Sequence, residues 1–200
     1  MTDHFSHFIV LESTKTFGDT TGNWAKDYIE VLAARAITDG VSANQFAPKG
    51  TVTRGQMAVF LGRALGIAED HQVGSFTDVP SDQYYAAYVN AMKKAGIMSG
   101  YGDGSFRPEQ NVTREEMVTM IMKAYSYVTG NALAVEAGTS SSVFKDISSV
   151  SAYAVDSLKA AASLGIIEGG TGGAFEPKSL FTRDQMAKVL IKLMEKTGQL

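Results

Sequence analysis

The chain contains no cysteine. That removes disulfides, thiolate-bound zinc and thiol catalysis, and it leaves the compartment open, since cysteine-free chains occur on both sides of a membrane. No run of about 18 apolar residues occurs, the length a spanning helix needs, so no membrane insertion is expected. A basic surplus is missing too. Lysine and arginine total 18 against 21 acidic residues, a formal net charge of -3, whereas a nucleic-acid binder needs a basic stripe to displace counterions from phosphate. Histidine is scarce: His4 and His7 stand near the N-terminus and His71 far from both. No third ligand joins the first two and no Ser/His/Asp arrangement stands out, so neither a metal, a cofactor nor a catalytic pair is implied. The start, Met1 to Phe8, lacks the basic and apolar stretches of a signal peptide. The expectation is a chain that stays inside or one whose export signal lies outside this stretch.

What the chain does have is an internal repeat. Phe46-Ala47-Pro48 runs on to Thr53-Arg54-Gly55-Gln56-Met57, Phe106-Arg107-Pro108 to Thr113-Arg114-Glu115-Glu116-Met117, and Phe175-Glu176-Pro177 to Thr182-Arg183-Asp184-Gln185-Met186. With Trp24 set against Tyr84 and Tyr153, the copies align without a gap over about 42 residues, the length of a helix-pair repeat. Ile37/Ile97/Ile166 and Gly40/Gly100/Gly169 are further identical columns, and a Phe-x-Asp precedes each copy at Phe17-Gly18-Asp19, Phe76-Thr77-Asp78 and Phe144-Lys145-Asp146. The expected organisation is an N-terminal extension 1–16 and repeats 17–66, 76–126 and 144–195, together one compact domain.

Each repeat reads as two helices. From Trp24 the apolar residues Ala25, Tyr28, Ile29, Leu32 and Ala33 keep helical spacing, which predicts an amphipathic helix of about three to four turns with the aromatic as its first core position. Copies two and three end theirs at Gly-Ile, where copy one has Ala36. The spacing of Gly40, Gly100 and Gly169 suits positive φ in the following loop. The second helix opens on a capping box, Thr with Gln or Glu three residues on. No stretch keeps period-two alternation, so helices joined by ordered loops are expected, with little sheet. Three such pairs, each with an apolar stripe, bury their stripes together if they close around a pseudo-threefold axis, whereas an open solenoid would need polar caps. Phe5, Phe8, Ile9 and Leu11 could add a short helix completing the first pair.

Of six arginines, half fall in one column: Arg54, Arg114 and Arg183. They occupy the first helical turn, where unpaired amides and the helix dipole favour an anion and mildly disfavour a cation. Two readings remain open: an internal ion pair with the Phe-x-Asp carboxylate, or a bound carboxylate gripped by the guanidinium with help from the amides. Trp24, Tyr84 and Tyr153 likewise read as packing or as a ligand platform. The Gly100 to Gly104 run lacks the alternating acids of a calcium loop and reads as a turn.

Phe-x-Asp, an aromatic opening a helix, Gly-Ile-x-x-Gly, Phe-x-Pro and Thr-Arg-x-Glu/Gln-Met, three times in register, resemble the S-layer homology domain. The resemblance implies an all-α fold of three helix-loop-helix repeats closed into a three-pronged spindle, monomeric, with grooves between copies. It implies a noncovalent anchor, not an enzyme, outside the cell at the bacterial cell wall or S-layer. The implied ligand is a secondary cell wall polysaccharide ending in pyruvylated N-acetylmannosamine, with Arg54, Arg114 and Arg183 in the grooves, lined by Gly40, Gly100 and Gly169 and bordered by Trp24, Tyr84 and Tyr153. The alternative is an assembly module that binds other surface-layer proteins or peptidoglycan-associated partners. Departures from the family pattern are Ala36, Gly55, and Gly169 to Gly173 in place of an Asp-bearing turn.

Overall fold

The computed structural model describes residues 15–72, 74, 76–132, 144–170 and 172–200. The helix expected around Phe5 to Leu11 lies outside them. Six α-helices follow in order: α1 Lys26–Ala34, α2 Arg54–Ala64, α3 Ala86–Lys94, α4 Arg114–Thr129, α5 Ala152–Ser163 and α6 Arg183–Thr197. Each repeat supplies two, as the periodicity predicts, and among the described residues there is no strand, only isolated bridges. The first helices are shorter than expected: α1 and α3 are 9 residues each. In the other direction, α4 runs past Ser126 to Thr129 and stops at Gly130 in the left-handed conformation, inside the stretch read as a join.

The capping boxes of the first two copies form, and the third is closed by a neighbour. The Thr53 hydroxyl accepts the Gln56 amide and Thr113 that of Glu116, whereas the Gln185 amide goes to Asp184 Oδ1 at 2.8 Å, and in all three copies the Gln or Glu side chain accepts the threonine amide. Helices α3 and α5 are followed by Gly96 and Gly165, both at φ 69°, and α1 by Ala36 at φ 55°. Only a glycine takes that conformation without a clash between Cβ and the following carbonyl.

The helices do not pair as the sequence order suggests. The close contacts are α2 with α3, α4 with α5 and α6 with α1. Each pair therefore joins the second helix of one copy to the first helix of the next, and α6 completes the pair begun by α1.

The reason lies at the start of the second helices. An N-cap leaves several first-turn amides without partners in the helix itself, and here those partners come from the next copy. Arg54 N donates to Gln110 O and Gly55 N to Pro108 O; Arg114 N to Ser179 O and Glu115 N to Pro177 O; Arg183 N to Gly50 O and Asp184 N to Pro48 O. Between them the residues two positions ahead of each arginine close a ring: Val52 N donates to Phe181 O at 3.0 Å, Phe181 N to Val112 O at 2.9 Å, and Val112 N to Val52 O at 2.9 Å. All three side chains are fully buried. The copies are thus hydrogen-bonded in a closed cycle, 1 to 2 to 3 to 1.

The acceptor loops are shaped by Phe-x-Asp. Asp19 takes the amides of Phe46 and Ala47 at 2.9 and 2.7 Å, Asp78 those of Phe106 and Arg107 at 2.7 Å each, and Asp146 those of Phe175 and Glu176 at 2.8 and 2.7 Å. The middle residue of each Phe-x-Pro, Ala47, Arg107 or Glu176, stands at φ 57°, 58° or 56°, a conformation that costs roughly 1–2 kcal/mol for a residue with a Cβ. The bidentate carboxylate offsets that strain. Above it the phenylalanine of Phe-x-Asp packs on that of Phe-x-Pro, with centroids 5.6, 5.2 and 5.4 Å apart in the three copies.

The repeated glycine column serves the same packing, and only Gly40 shows positive φ, at 81°. A Cβ on Gly40 would lie 2.4 Å from Phe17 Cε1 and one on Gly100 2.3 Å from Phe76 Cε1. At Gly169 the nearest atoms are 3.4 Å away. Close approach of the ring fixes both, joined at Gly40 by its left-handed backbone and acting alone at Gly100; the third is looser.

Two outcomes follow. Replacing Ala36 by Gly relieves the left-handed Cβ at some cost in unfolded-state entropy, so the variant should be stabler by about 1 kcal/mol and melt about 2–4 °C higher; calorimetry that shows a lower melting point would refute the strain. The second concerns acid. Burial pushes Glu115, Asp184 and Asp146 upward, but their donors outweigh it and hold all three below ordinary values: Lys178 and Ser151 at Glu115, Lys49 and Thr182 at Asp184, the Phe175 and Glu176 amides at Asp146. A depressed carboxylate stabilises fully above its unfolded value, here 4.5 for Glu and 3.8 for Asp, and the contribution disappears as pH falls through the lower folded value. Denaturant midpoints should therefore hold steady above about pH 5 and drop steeply below about pH 4, with Glu115→Gln flattening the drop.

Candidate functional site

The arginine column sits at the junctions. Each Nε donates to the carbonyl of the next copy's Phe-x-Pro phenylalanine: Arg54 to Phe106 at 2.9 Å, Arg114 to Phe175 at 2.6 Å, Arg183 to Phe46 at 2.7 Å. Each guanidinium also lies over that same ring, 4.6, 5.0 and 4.5 Å from the centroid. The expected ion pair with Phe-x-Asp does not form, because those carboxylates are bound to backbone amides. The expected free amides are absent as well, since the first-turn amides of the arginine and the residue after it bond the next copy, and the third is held by the capping threonine in copies one and two and by Asp184 in copy three. Burial pushes all three arginines' pKa down, though guanidinium remains charged at any physiological pH.

Three grooves open where the Nη atoms point, and each is assembled from all three copies. The first, about 380 Å³, is lined by Gly40 and Gln56 of copy one, Tyr84 of copy two and Arg183 of copy three. A second, about 310 Å³, takes Gly100 and Glu116 from copy two, Tyr153 from copy three and Arg54 from copy one. The last, about 190 Å³, takes Gly169 and Gln185 from copy three, Trp24 from copy one and Arg114 from copy two. The structure thus brings every expected arginine, glycine and aromatic together, three to a groove.

The aromatic column is not a core position. Trp24, Tyr84 and Tyr153 are 53%, 64% and 57% exposed, while the residue after each, Ala25, Tyr85 or Ala154, is buried. Helix α1 begins two residues beyond Trp24, and an Asn23 side chain accepting the Ala25 amide at 2.8 Å turns the chain there. The rings are left facing the grooves as flat walls. Tyr153 is tethered by its hydroxyl to Glu115 at 3.2 Å, and burial followed by that carboxylate pushes its phenol upward.

The grooves share a backbone plan and differ in side chains. Beside Arg54, Nη2 is taken by Ser99 O at 2.7 Å. In the Arg114 groove, Lys188 and Glu168 bridge the opening at 2.7 Å. Arg183 is 4% exposed and its Nη2 has no hydrogen-bond partner among the described residues. A buried guanidinium nitrogen without an acceptor is a costly arrangement that an incoming carboxylate would relieve. The walls next to the arginines are apolar in part, with Val59 and Phe60 in the first groove and Met120 in the second.

Sequence reasoning missed that Gln56, Glu116 and Gln185 line the grooves as well as cap the helices. It also missed that the arginine and glycine of one groove belong to different copies. The first was visible in principle, since a capping side chain at the start of a groove helix has one face left over; the second required the cyclic order.

Comparison with known proteins agrees with the repeat count and phase. A family model described as the S-layer homology domain matches residues 16–58, 75–118 and 143–187. The chain is 39% identical over 197 residues to an amylopullulanase of Thermoanaerobacterium thermosulfurigenes, which covers 98% of this chain and 10% of that protein. It is 39% identical over 191 residues to the exoglucanase XynX of Acetivibrio thermocellus, covering 96% and 17%, and 28% identical over 191 residues to the S-layer protein sap of Bacillus anthracis, covering 94% and 22%. The chain therefore spans a fifth or less of the length of the first relatives it matches. No helix among the described residues is long and apolar enough to cross a membrane. With more than half of the chain matched in three tandem copies, it belongs to the S-layer homology domain family, whose members in S-layer proteins and wall-associated enzymes indicate cell-wall anchoring.

Proposed function

We propose that the chain holds a larger protein noncovalently on the bacterial cell wall by binding secondary cell wall polysaccharide, with the terminal pyruvylated N-acetylmannosamine seated in the grooves between copies. The observation that carries this reading is the Nη2 of Arg183, without a hydrogen-bond partner among the described residues and buried at the wall of a groove of about 380 Å³. The pyruvate ketal offers a carboxylate for that guanidinium, charge-assisted and partly desolvated. Its methyl group meets Val59 and Phe60, and the exposed face of Tyr84 receives the sugar ring. Orientation comes from side chains, Gln56 and Thr38 in this groove, because the helix amides are committed to the junction. No catalytic residue is assigned.

The reading is tested on protein-free wall sacculi prepared with and without the ketal. Retention should fall at least about tenfold on the pyruvate-free wall, the loss expected for one charge-assisted contact. Tyr84→Ala, at an exposed position, should weaken binding with the melting temperature unchanged. Equal retention on both walls would overturn the carboxylate role, and no retention on either would favour a protein-binding assembly module.

A further inference from the structure

The three grooves differ in a way that the repeat motif does not encode. In the groove built by copy two, Ser99 O holds Arg54 Nη2. The matching carbonyl in the groove built by copy one is Asp39 O, at the same step from its aromatic. It is already bonded, by Lys15 Nζ at 3.0 Å, with Asp39 Oδ1 3.5 Å from the same ammonium. Asp39 is further fixed by Arg63, whose Nη1 donates to Oδ2 at 3.0 Å. Arg114 likewise donates only through Nε but is only partly buried, whereas Arg183 Nη2, lining the same groove as Asp39, is the one buried guanidinium nitrogen of the column without an acceptor among the described residues.

We infer that Lys15, which precedes the first repeat motif, is a positioning residue: by occupying the Asp39 carbonyl it keeps Arg183 free, and so makes the Arg183 groove the tightest of the three for an anionic ligand. The inference rests on the reading above that carboxylate-bearing glycan enters these grooves. Its physical basis is competition. In the Arg54 groove an incoming carboxylate must share Nη2 with a carbonyl at 2.7 Å or displace it, whereas in the Arg183 groove it meets a desolvated donor already stripped of any partner. Lys15 stands near enough to add attraction of its own, but its contact with the Asp39 backbone oxygen, not its charge alone, distinguishes this groove.

The experiment is a titration of the whole chain, labelled with nitrogen-15, by a synthetic pyruvylated N-acetylmannosamine glycoside. The arginine Nε–H signals of Arg54, Arg114 and Arg183 and the indole N–H of Trp24, the only tryptophan, report the grooves separately. The Arg183 signal should saturate first, at a ligand concentration about tenfold below the others, the ratio worth about one good hydrogen bond. In Lys15→Met the Arg183 groove should weaken to the level of the Arg54 groove while the other two keep their affinities and the melting temperature stays within about 2 °C. A crystal structure of that variant should place Arg183 Nη2 on the Asp39 carbonyl, and Lys15→Arg should restore the original order. Saturation of Arg54 or Arg114 before Arg183, equal weakening of all grooves in Lys15→Met, or a guanidinium that stays off the Asp39 carbonyl would each overturn the inference while leaving the glycan reading intact. Absence of any shift with the pyruvylated probe would overturn the reading itself, and this inference with it.

Discussion

The first two amides of α2, α4 and α6 are not satisfied by the copy that carries them. Their acceptors are carbonyls of the next copy's loop, at Pro108, Pro177 and Pro48, and most of the rest of the molecule can be read as what is needed to present those carbonyls. The loop must turn through a left-handed residue, which the Phe-x-Asp carboxylate holds by two amides. The phenylalanine before that residue must be anchored, which its aromatic neighbour does, and the neighbour in turn requires Gly40 and Gly100 to stay without a Cβ. An open array would strand the last copy's amides in a buried place, at roughly 1–3 kcal/mol for each unmet donor. Cyclic closure, with Val52, Val112 and Phe181 bonded around the centre, leaves none stranded at the three junctions.

The same bonds create the grooves. An arginine in this position has five donors; Nε is committed to the neighbouring copy's carbonyl and the guanidinium plane to its phenylalanine ring. What is left over, the Nη edge, can point only away from the junction, into the space bounded by the glycine loop and the next aromatic. A structural arginine and a ligand-binding one are therefore compatible readings of the same side chain. One atom of the side chain builds the joint, and the joint aims the others.

Much of this was legible in the sequence. Repeat number, phase, capping boxes, the packing role of Phe46, Phe106, Phe175 and of Met57, Met117, Met186, all buried, follow from local rules because they depend on neighbours within a few residues. The misreadings share a cause. The arginine's acceptor and the pairing of α2 with α3 are relations between copies whose order in space is cyclic, and periodicity within one copy carries no information about it; the carboxylate's amides lie in its own copy but in a loop beyond its first helix, out of reach of local spacing. The aromatic column was misplaced for a narrower reason: Trp24 fits the helical spacing, but the Asn23 turn delays the helix by two residues and swings the ring outward. Ala36 was visible as a departure, yet its cost was not until its φ was known.

Where the copies diverge, they do so in side chains that leave the backbone bonds alone. Two junctions carry a buried acid reached by a lysine from the next copy, Glu115 with Lys178 and Asp184 with Lys49. The third has Gly55 at that position, and a Cβ there would lie 2.9 Å from the ring of Tyr85, which fills the space. Burial, with Glu109 beside it, pushes the Tyr85 phenol up to about 12. An ion pair and a buried tyrosine are thus interchangeable as filling, because the junction is held by amide-to-carbonyl bonds that every side chain tolerates. The grooves are free to differ on the same ground. Arg54 is tied to a carbonyl, Arg114 sits behind a lysine–glutamate bridge, and Arg183 is open, on one shared backbone plan. A repeat protein built this way can keep its closure while individual copies drift in what they bind, since the residues that close the ring and those that would select a ligand overlap only at the arginine, the loop glycine and the capping Gln or Glu.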